Sequence, residues 1–278
     1  MEKSLQKKVD FALKVIESGA KIARRENGSE IELSYSGGKG SDVILELAKL
    51  AGIEFVPIYK NTTIDPPGTI QHVLNRGVQM VRPKRTFFQL CEKSGLPTRM
   101  MRFCCRELKE YKIKDYAIVG IRRDESWKRA KMYQEPELCR KYRKGKVKQF
   151  LPILEWTNSD VEAFLQSRDV KCAPVYYDSD GKFHVERRLG CMCCPLASRR
   201  KRVEQFKQYP KMLRQYVKAG KKYWETHKPL MGGVYNVLTF QLFFDNFRSY
   251  QERFGCDCFQ ETFDAKSILE EYFGIDLP

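Results

Sequence analysis

Glu30-Ile31-Glu32-Leu33-Ser34-Tyr35, followed at once by Ser36-Gly37-Gly38-Lys39-Gly40-Ser41, is the stretch that decides the fold. The first six residues alternate polar and apolar, as a short strand does. The next six form a tight glycine-rich turn, and Asp42 to Leu50 then takes up helical periodicity before Ala51-Gly52. A strand, a glycine turn and a helix form a phosphate-binding arrangement. The glycines let backbone N–H groups turn toward an anion, and the helix N-terminus adds a positive dipole end. Lys39 and Ser41 add side-chain donors. The segment lacks both Gly-x-Gly-x-x-Gly and the longer Gly-x4-Gly-Lys-[Ser/Thr] pattern, so neither a dinucleotide fingerprint nor a Walker loop is present. An ordinary strand-to-helix turn is the competing reading; the position directly after the first strand favours an anion loop.

Working outward, residues 2 to 25 form an amphipathic helix, with Val9, Leu13, Ile16, Ala20 and Ala23 at spacings of three and four. Strands are expected at Glu54–Tyr59, Val78–Val81 and Tyr116–Ile121, with a helix near Gly68–Arg76. Strands alternating with helices predict an α/β fold: a Rossmann-like, mainly parallel sheet with helices on both faces. The later chain is different. Arg199–His227 is basic and helical in pattern, Val237–Phe247 is aromatic-rich, and Ala265–Phe273 reads as a terminal helix. The expected organisation is an N-terminal helix over 1–28, an α/β domain over 29–198 and a basic helical portion over 199–278.

The chain has 278 residues, 51 Lys and Arg against 35 Asp and Glu, and ten cysteines. An apolar share of 42 % excludes a wholly disordered chain. No apolar run reaches the roughly 18 residues that a membrane span needs, so no membrane partner is expected. The charged N-terminus lacks a secretory signal's apolar core, which points to the cytoplasm, where clustered cysteines bind metal or do redox chemistry. The net charge of +16 suits an anionic partner, nucleotide or nucleic acid. Dense basic runs at 140–148 and 199–202, with Tyr216 and Tyr223 among Lys218, Lys221 and Lys222, suit a polyanionic backbone with rings available for stacking. Solvated charged faces are the plain alternative.

Two cysteine groups stand out: Cys104-Cys105 and Cys191-Met192-Cys193-Cys194. Cys191 and Cys194 have the Cys-x-x-Cys spacing that lets two thiolates reach one metal or cluster. Structural zinc, a redox pair and buried free thiols remain open as readings.

Ser36–Ser41 resembles the pyrophosphate-binding loop of the PP-loop, or adenine nucleotide α-hydrolase, superfamily. It is most similar to the version in phosphoadenosine-phosphosulfate (PAPS) reductase-like proteins, which reads Ser-Gly-Gly-Lys-Asp-Ser. Gly40 stands where that family has Asp, and an acid follows at Asp42. Asn61–Thr69 resembles the family segment after the second strand, and Gly120–Ser126 its Gly-x-Arg-Arg-x-x-Ser. Pro152, Trp156, Asp160 and Val161 resemble its Pro-Leu-x-x-Trp-x-x-x-Asp-Val stretch, with Trp156 read as core and Asp160 as near a helix start. The resemblance runs from about residue 30 to 198.

It implies an adenine nucleotide (APS, PAPS or ATP, with magnesium as an optional companion) held by Ser36, Gly37, Gly38, Lys39, Gly40, Ser41, Thr63, Asp65, Arg122 and Arg123. It implies that Cys104, Cys105, Cys191 and Cys194 hold a 4Fe-4S cluster beside the nucleotide, with zinc as the alternative and Cys193 spare. Sulfonucleotide reduction would then need a mobile thiol. The family's Glu-Cys-Gly-Leu-His is absent, and Cys256 and Cys258 are the nearest candidates, with packing as their alternative role. A thiol donor such as thioredoxin would be the partner. The alternatives are an ATP-dependent sulfurtransferase acting on tRNA or DNA, and a non-catalytic nucleotide- or nucleic-acid-binding module. Cys91, Cys139 and Cys172 have no assigned role.

Overall fold

The computed structural model describes residues 3–99, 101–110, 115–142 and 145–227. Cys256, Cys258 and the segments 237–247 and 265–273 lie outside the described residues. The chain divides into two compact units. The first comprises 1–61, 65–82 and 110–190; the second comprises 62–64, 83–109 and the described residues from 191 on.

The first unit is built on a six-stranded sheet among the described residues: β1 (Ile31–Tyr35), β2 (Phe55–Lys60), β3 (Gln79–Val81), β4 (Tyr116–Val119), β5 (Glu137–Tyr142) and β6 (Gly145–Phe150). Their order is β3-β2-β1-β4-β6-β5. Five strands run parallel; the edge strand β5 is antiparallel to β6. The expected mainly parallel α/β fold is what forms. Strand order reverses around β1, with β2 on one side and β4 on the other. Open α/β sheets bind ligands outside the strand ends at such a switch point.

The alternation in β1 sorts its faces. Ile31, Leu33 and Tyr35 enter one large core together with Leu5, Val9, Ala12 and Ile16 of α1 (Lys3–Asn27) and Val43, Ile44 and Leu47 of α2 (Lys39–Leu50). Glu32, on the opposite face, is fully buried and pairs with Lys60 at 3.3 Å. Gly19 lets α1 lie close on the sheet, since a Cβ there would stand 2.8 Å from the Phe150 ring. Two short helices follow, α3 (Thr69–Asn75) after β2 and, in the second unit, α4 (Phe87–Ser94), which starts with a capping box between Thr86 and Gln89. In the first unit α5 (Trp127–Met132) precedes β5, and α6 (Asn158–Ser167) begins with a second box between Thr157 and Asp160. Asp160 thus stands near a helix start and Trp156 is core.

The described residues of the 140–148 run belong to the antiparallel β5–β6 pair: Arg140 pairs Val147 and Lys141 pairs Lys146. In the second unit, 199–227 forms α7 (Arg199–Gln208) and α8 (Pro210–His227). Here one expectation is corrected. Tyr216 and Tyr223 are not offered for stacking; they are buried with Phe87, Leu90 and Phe206, and the Tyr216 ring lies 5.3 Å from Phe87 and from Phe206. Spacings of three and four between Tyr216, Ala219 and Tyr223 place them on one apolar helix face. Among the described residues, no helix is long and apolar enough to cross a membrane.

Candidate functional site

The glycine loop leaves the carboxyl end of β1 at the switch point. Gly37 takes φ +77, a left-handed conformation that favours glycine, and a Cβ there would meet the Thr69 methyl at 3.0 Å. Gly38 is the N-cap of α2 and brings no capping side chain. The first turn starts inside the loop, three residues earlier than the Asp42 start read from periodicity. Ser41 Oγ donates to Gly38 O at 2.7 Å, and Ser36 Oγ donates to Ser41 Oγ at 3.3 Å, so both hydroxyls stiffen the turn.

Gly40 has a physical reason to be glycine. Its first-turn backbone packs directly on the end of β4: a Cβ at Gly40 would stand 3.1 Å from Gly120 O, and one at Gly120 would stand 2.7 Å from Gly40 O. Asp42 does not take up the place of a loop carboxylate. It is fully buried below the turn, accepts a short hydrogen bond from Tyr35 Oη, and lies 3.0 Å from His72 Nε2 and 3.5 Å from Arg76 Nε. Cys172 joins this cluster: burial, and then the Asp42 carboxylate, push its thiol well above the ordinary range.

Lys39 is buried. Its Nζ donates to Arg187 O at 2.9 Å and sits 5.2 Å above the Tyr176 ring. Burial, and then the charges of Arg122 and Arg188, push its ammonium down to about 8. Its backbone N–H donates to Tyr176 Oη at 3.1 Å. Tyr176 and Arg188 are therefore parts of this surrounding that sequence reading missed. Their signal was faint: a tyrosine in Pro174-Val175-Tyr176 and an arginine pair ahead of Gly190.

The two arginines after β4 part company. Arg122 turns inward and is 1 % exposed; it donates to Trp156 O at 3.2 Å and Asn158 Oδ1 at 2.9 Å, while its Nε has no hydrogen-bond partner. Buried polar groups are ordinarily hydrogen-bonded, so this donor stands out. Arg123 turns outward to Glu155 Oε1 at 2.6 Å and Gln134 Oε1 at 3.1 Å, as a solvated pair does. Asp65 belongs to the first unit. Thr63 belongs to the second, at φ +64, where its Oγ1 accepts from Phe87 N at 2.8 Å.

All four proposed cysteine ligands lie in the second unit. Cys105 opens a π-helical turn, Cys105–Lys109. Its hydrogen bond to Cys104, burial, and the nearby Cys191 and Cys194 hold the Cys104 thiol far above the ordinary range. Burial likewise raises Cys194, while Lys109 favours its thiolate. Cys191 Sγ lies 3.6 Å from Thr62 Oγ1, and Met192 N donates to Ile64 O at 2.8 Å, so residues 62–64 hold the Cys-x-x-Cys turn. Cys193, at φ +54, is buried, and burial pushes its thiol up to about 12. Four cysteines within one unit, whose thiolates are the metal-binding form, are a donor set of the type a thiophilic cation takes. Among the described residues, however, no three metal-ligating side chains close into a coordination set.

A model of the phosphoadenosine phosphosulfate reductase domain matches residues 30–197. The chain belongs to the PAPS reductase family. This family assignment covers β1 to the Cys-x-x-Cys turn and leaves α1, α7 and α8 outside it. An uncharacterized protein of Methanocaldococcus jannaschii is 28 % identical over 237 residues, covering 81 % of this chain and 55 % of its own. The chain thus spans about half the length of that relative. Sulfate adenylyltransferase subunit 2 of Rhizobium johnstonii is 28 % identical over 228 residues, covering 64 % of this chain and 68 % of its own. Among solved structures, the U34-tRNA thiolase NcsA of Methanococcus maripaludis with its [4Fe-4S] cluster aligns with a TM-score of 0.40 at 16 % identity, covering 81 % of this chain and 80 % of that one.

Proposed function

We propose that this PAPS reductase-family chain binds an adenine nucleotide through its phosphate or sulfate at Ser36–Ser41 and acts in sulfonucleotide reduction. The observation that carries the reading is the loop itself: an uncapped helix start at the β1/β4 switch point, beside buried Lys39 and the unpartnered Nε of Arg122. Helix N-terminal amides and a positive dipole end favour an anion there. Arg123 and Thr63 contribute less, because their polar groups are engaged by Glu155, Gln134 and Phe87 N.

Cys104, Cys105, Cys191 and Cys194 would hold a 4Fe-4S cluster, or zinc in its place. Bound there, it would neutralise thiolates that otherwise repel one another and tie the 104–105 segment to the 191–194 turn. In the reduction, a thiolate attacks the sulfonate sulfur, the S–O bond to the nucleotide breaks, and the nucleotide leaves with its phosphate. A second thiol then releases sulfite and leaves a disulfide, which a thiol donor such as thioredoxin reduces. Cys256 and Cys258 are the candidate attackers. Sulfite release from APS or PAPS with thioredoxin, abolished in the Cys256→Ser/Cys258→Ser pair, tests this; no sulfite from either nucleotide removes the reductase.

A second reading, ATP-dependent sulfur transfer to nucleic acid, draws on the edge hairpin. Lys141 and Lys146 are exposed and directly opposite, a like-charge pair that disfavours the sheet unless an anion lies against it. Binding to single-stranded nucleic acid that weakens steeply with salt supports it; salt-insensitive or absent binding ends it.

A further inference from the structure

Both the backbone N–H and the ammonium of Lys39 donate to one stretch of chain. Tyr176 Oη accepts from two backbone amides that are far apart in sequence, Lys39 N at 3.1 Å and Leu189 N at 3.3 Å. Lys39 Nζ donates to Arg187 O at 2.9 Å. A Cβ on Gly38 would stand 3.1 Å from the same Tyr176 hydroxyl and 3.8 Å from Leu189, so the stretch lies directly on the loop backbone. It is also tied internally. A short 3-10 turn covers Pro174–Tyr176, Tyr177 pairs with Phe183, His184 N donates to Tyr176 O at 2.8 Å, and Arg187 donates to Tyr177 O at 2.6 Å. It therefore behaves as one strap.

We infer that the Tyr176 hydroxyl stands in for a phosphate oxygen at the start of α2, and that the 174–189 strap is a latch which an incoming phosphate displaces. The inference rests on the reading that Ser36–Ser41 binds phosphate. Tyr176 then competes with the ligand for the Lys39 amide. The exchange is favourable in kind. At 3.1 and 3.3 Å the two bonds to a neutral phenol sit at the long end of N–H···O distances. A phosphate oxygen is charged, and charged acceptors make shorter bonds about twice as strong. The aromatic ring is 2 % exposed and packs 6.1 Å from Phe183, so removing only the hydroxyl leaves the packing in place.

The test uses the full chain and inorganic pyrophosphate. By titration calorimetry, Tyr176→Phe is expected to bind pyrophosphate about three- to tenfold more tightly than wild type, because one competing hydrogen bond of ordinary strength is gone. A merely structural tyrosine would loosen binding instead. Residue-resolved hydrogen exchange on the wild type supplies an arm that does not depend on the variant. The Leu189 amide is expected to lose protection when pyrophosphate binds, while the Lys39 amide keeps it by changing acceptor. Equal or weaker binding by Tyr176→Phe, with Leu189 still protected in the pyrophosphate complex, overturns the latch and leaves the phosphate loop standing. If neither protein binds pyrophosphate, the loop reading fails and the latch fails with it.

Discussion

At the scale of single residues, Lys39 and Asp42 show how one turn serves two surroundings. Lys39 has its ordinary value of 10.5 in the unfolded chain and about 8 in the folded one. Between those values the unfolded chain holds a proton that the folded chain has lost, so this group's contribution to stability rises with pH across the window. The cost of burying the ammonium is fully present below about 8. Urea midpoints are therefore expected to move in wild type's favour, relative to Lys39→Met, as pH rises from 8 to 10; parallel curves would refute the shift. Asp42 accepts from Tyr35 and sits against His72 and Arg76 with no exposure. Removing one partner of a buried charged network leaves the others uncompensated. Asp42→Ala should cost about 3–5 kcal/mol in chemical unfolding, and a loss below 1 kcal/mol would show that Asp42 is not needed there. The strand, the glycine turn and the helix that starts in it were legible from residue type and order alone. The inward turn of Asp42 was not, because sequence spacing places a residue on a helix face without saying which neighbours, here His72 and Arg76 around α3, fill that face.

At the scale of elements, periodicity located α1, β1, β2, α3, β3 and β4 because each carries a clear two- or three-to-four-residue apolar rhythm. It missed the β5–β6 hairpin, in which Leu138, Val147 and Phe150 stand opposite polar or charged residues (Gln149, Arg140 and Glu137). It also read Tyr216 and Tyr223 as surface rings, since an amphipathic helix with a basic outer face shows its aromatics between charges in one dimension and beneath them in three. The loop-bearing helix and the end of β4 meet backbone to backbone at Gly40 and Gly120. A methyl at Gly120 would stand 2.7 Å from a carbonyl oxygen, so the strand or the helix must move. Overpacking of this kind costs about 1–3 kcal/mol. Gly120→Ala is thus expected to lower the urea midpoint and weaken nucleotide binding together; an unchanged midpoint would mean that the elements are not in close contact.

At the scale of the whole molecule, the chain separates its chemistry. The glycine loop belongs to the sheet-based unit, and the four cysteines belong to the unit built from 62–64, 83–109 and 191 onward. If the cysteines hold a metal centre, its binding energy stabilises the second unit specifically. Stripping metal should raise hydrogen exchange in α4, α7 and α8 and leave β1, β2 and β4 protected; uniform loss across both units would contradict this division. Such a partition was not legible in the sequence, where the second unit is split into three separate stretches and one of them is only three residues long. The parallel sheet and the family were legible, because loop, Arg122 segment and Cys-x-x-Cys turn each carry their own residue types in order. The central claim is that Ser36–Ser41 holds the anion of an adenine nucleotide. Anaerobic calorimetric titration of the full chain with ATP, APS and PAPS side by side, repeated on Lys39→Ala, tests it most directly. At least one nucleotide should bind, about tenfold more weakly to the variant, as expected when a buried charge-assisted contact is lost. Absence of binding by all three, or binding that Lys39→Ala leaves unchanged, would contradict it.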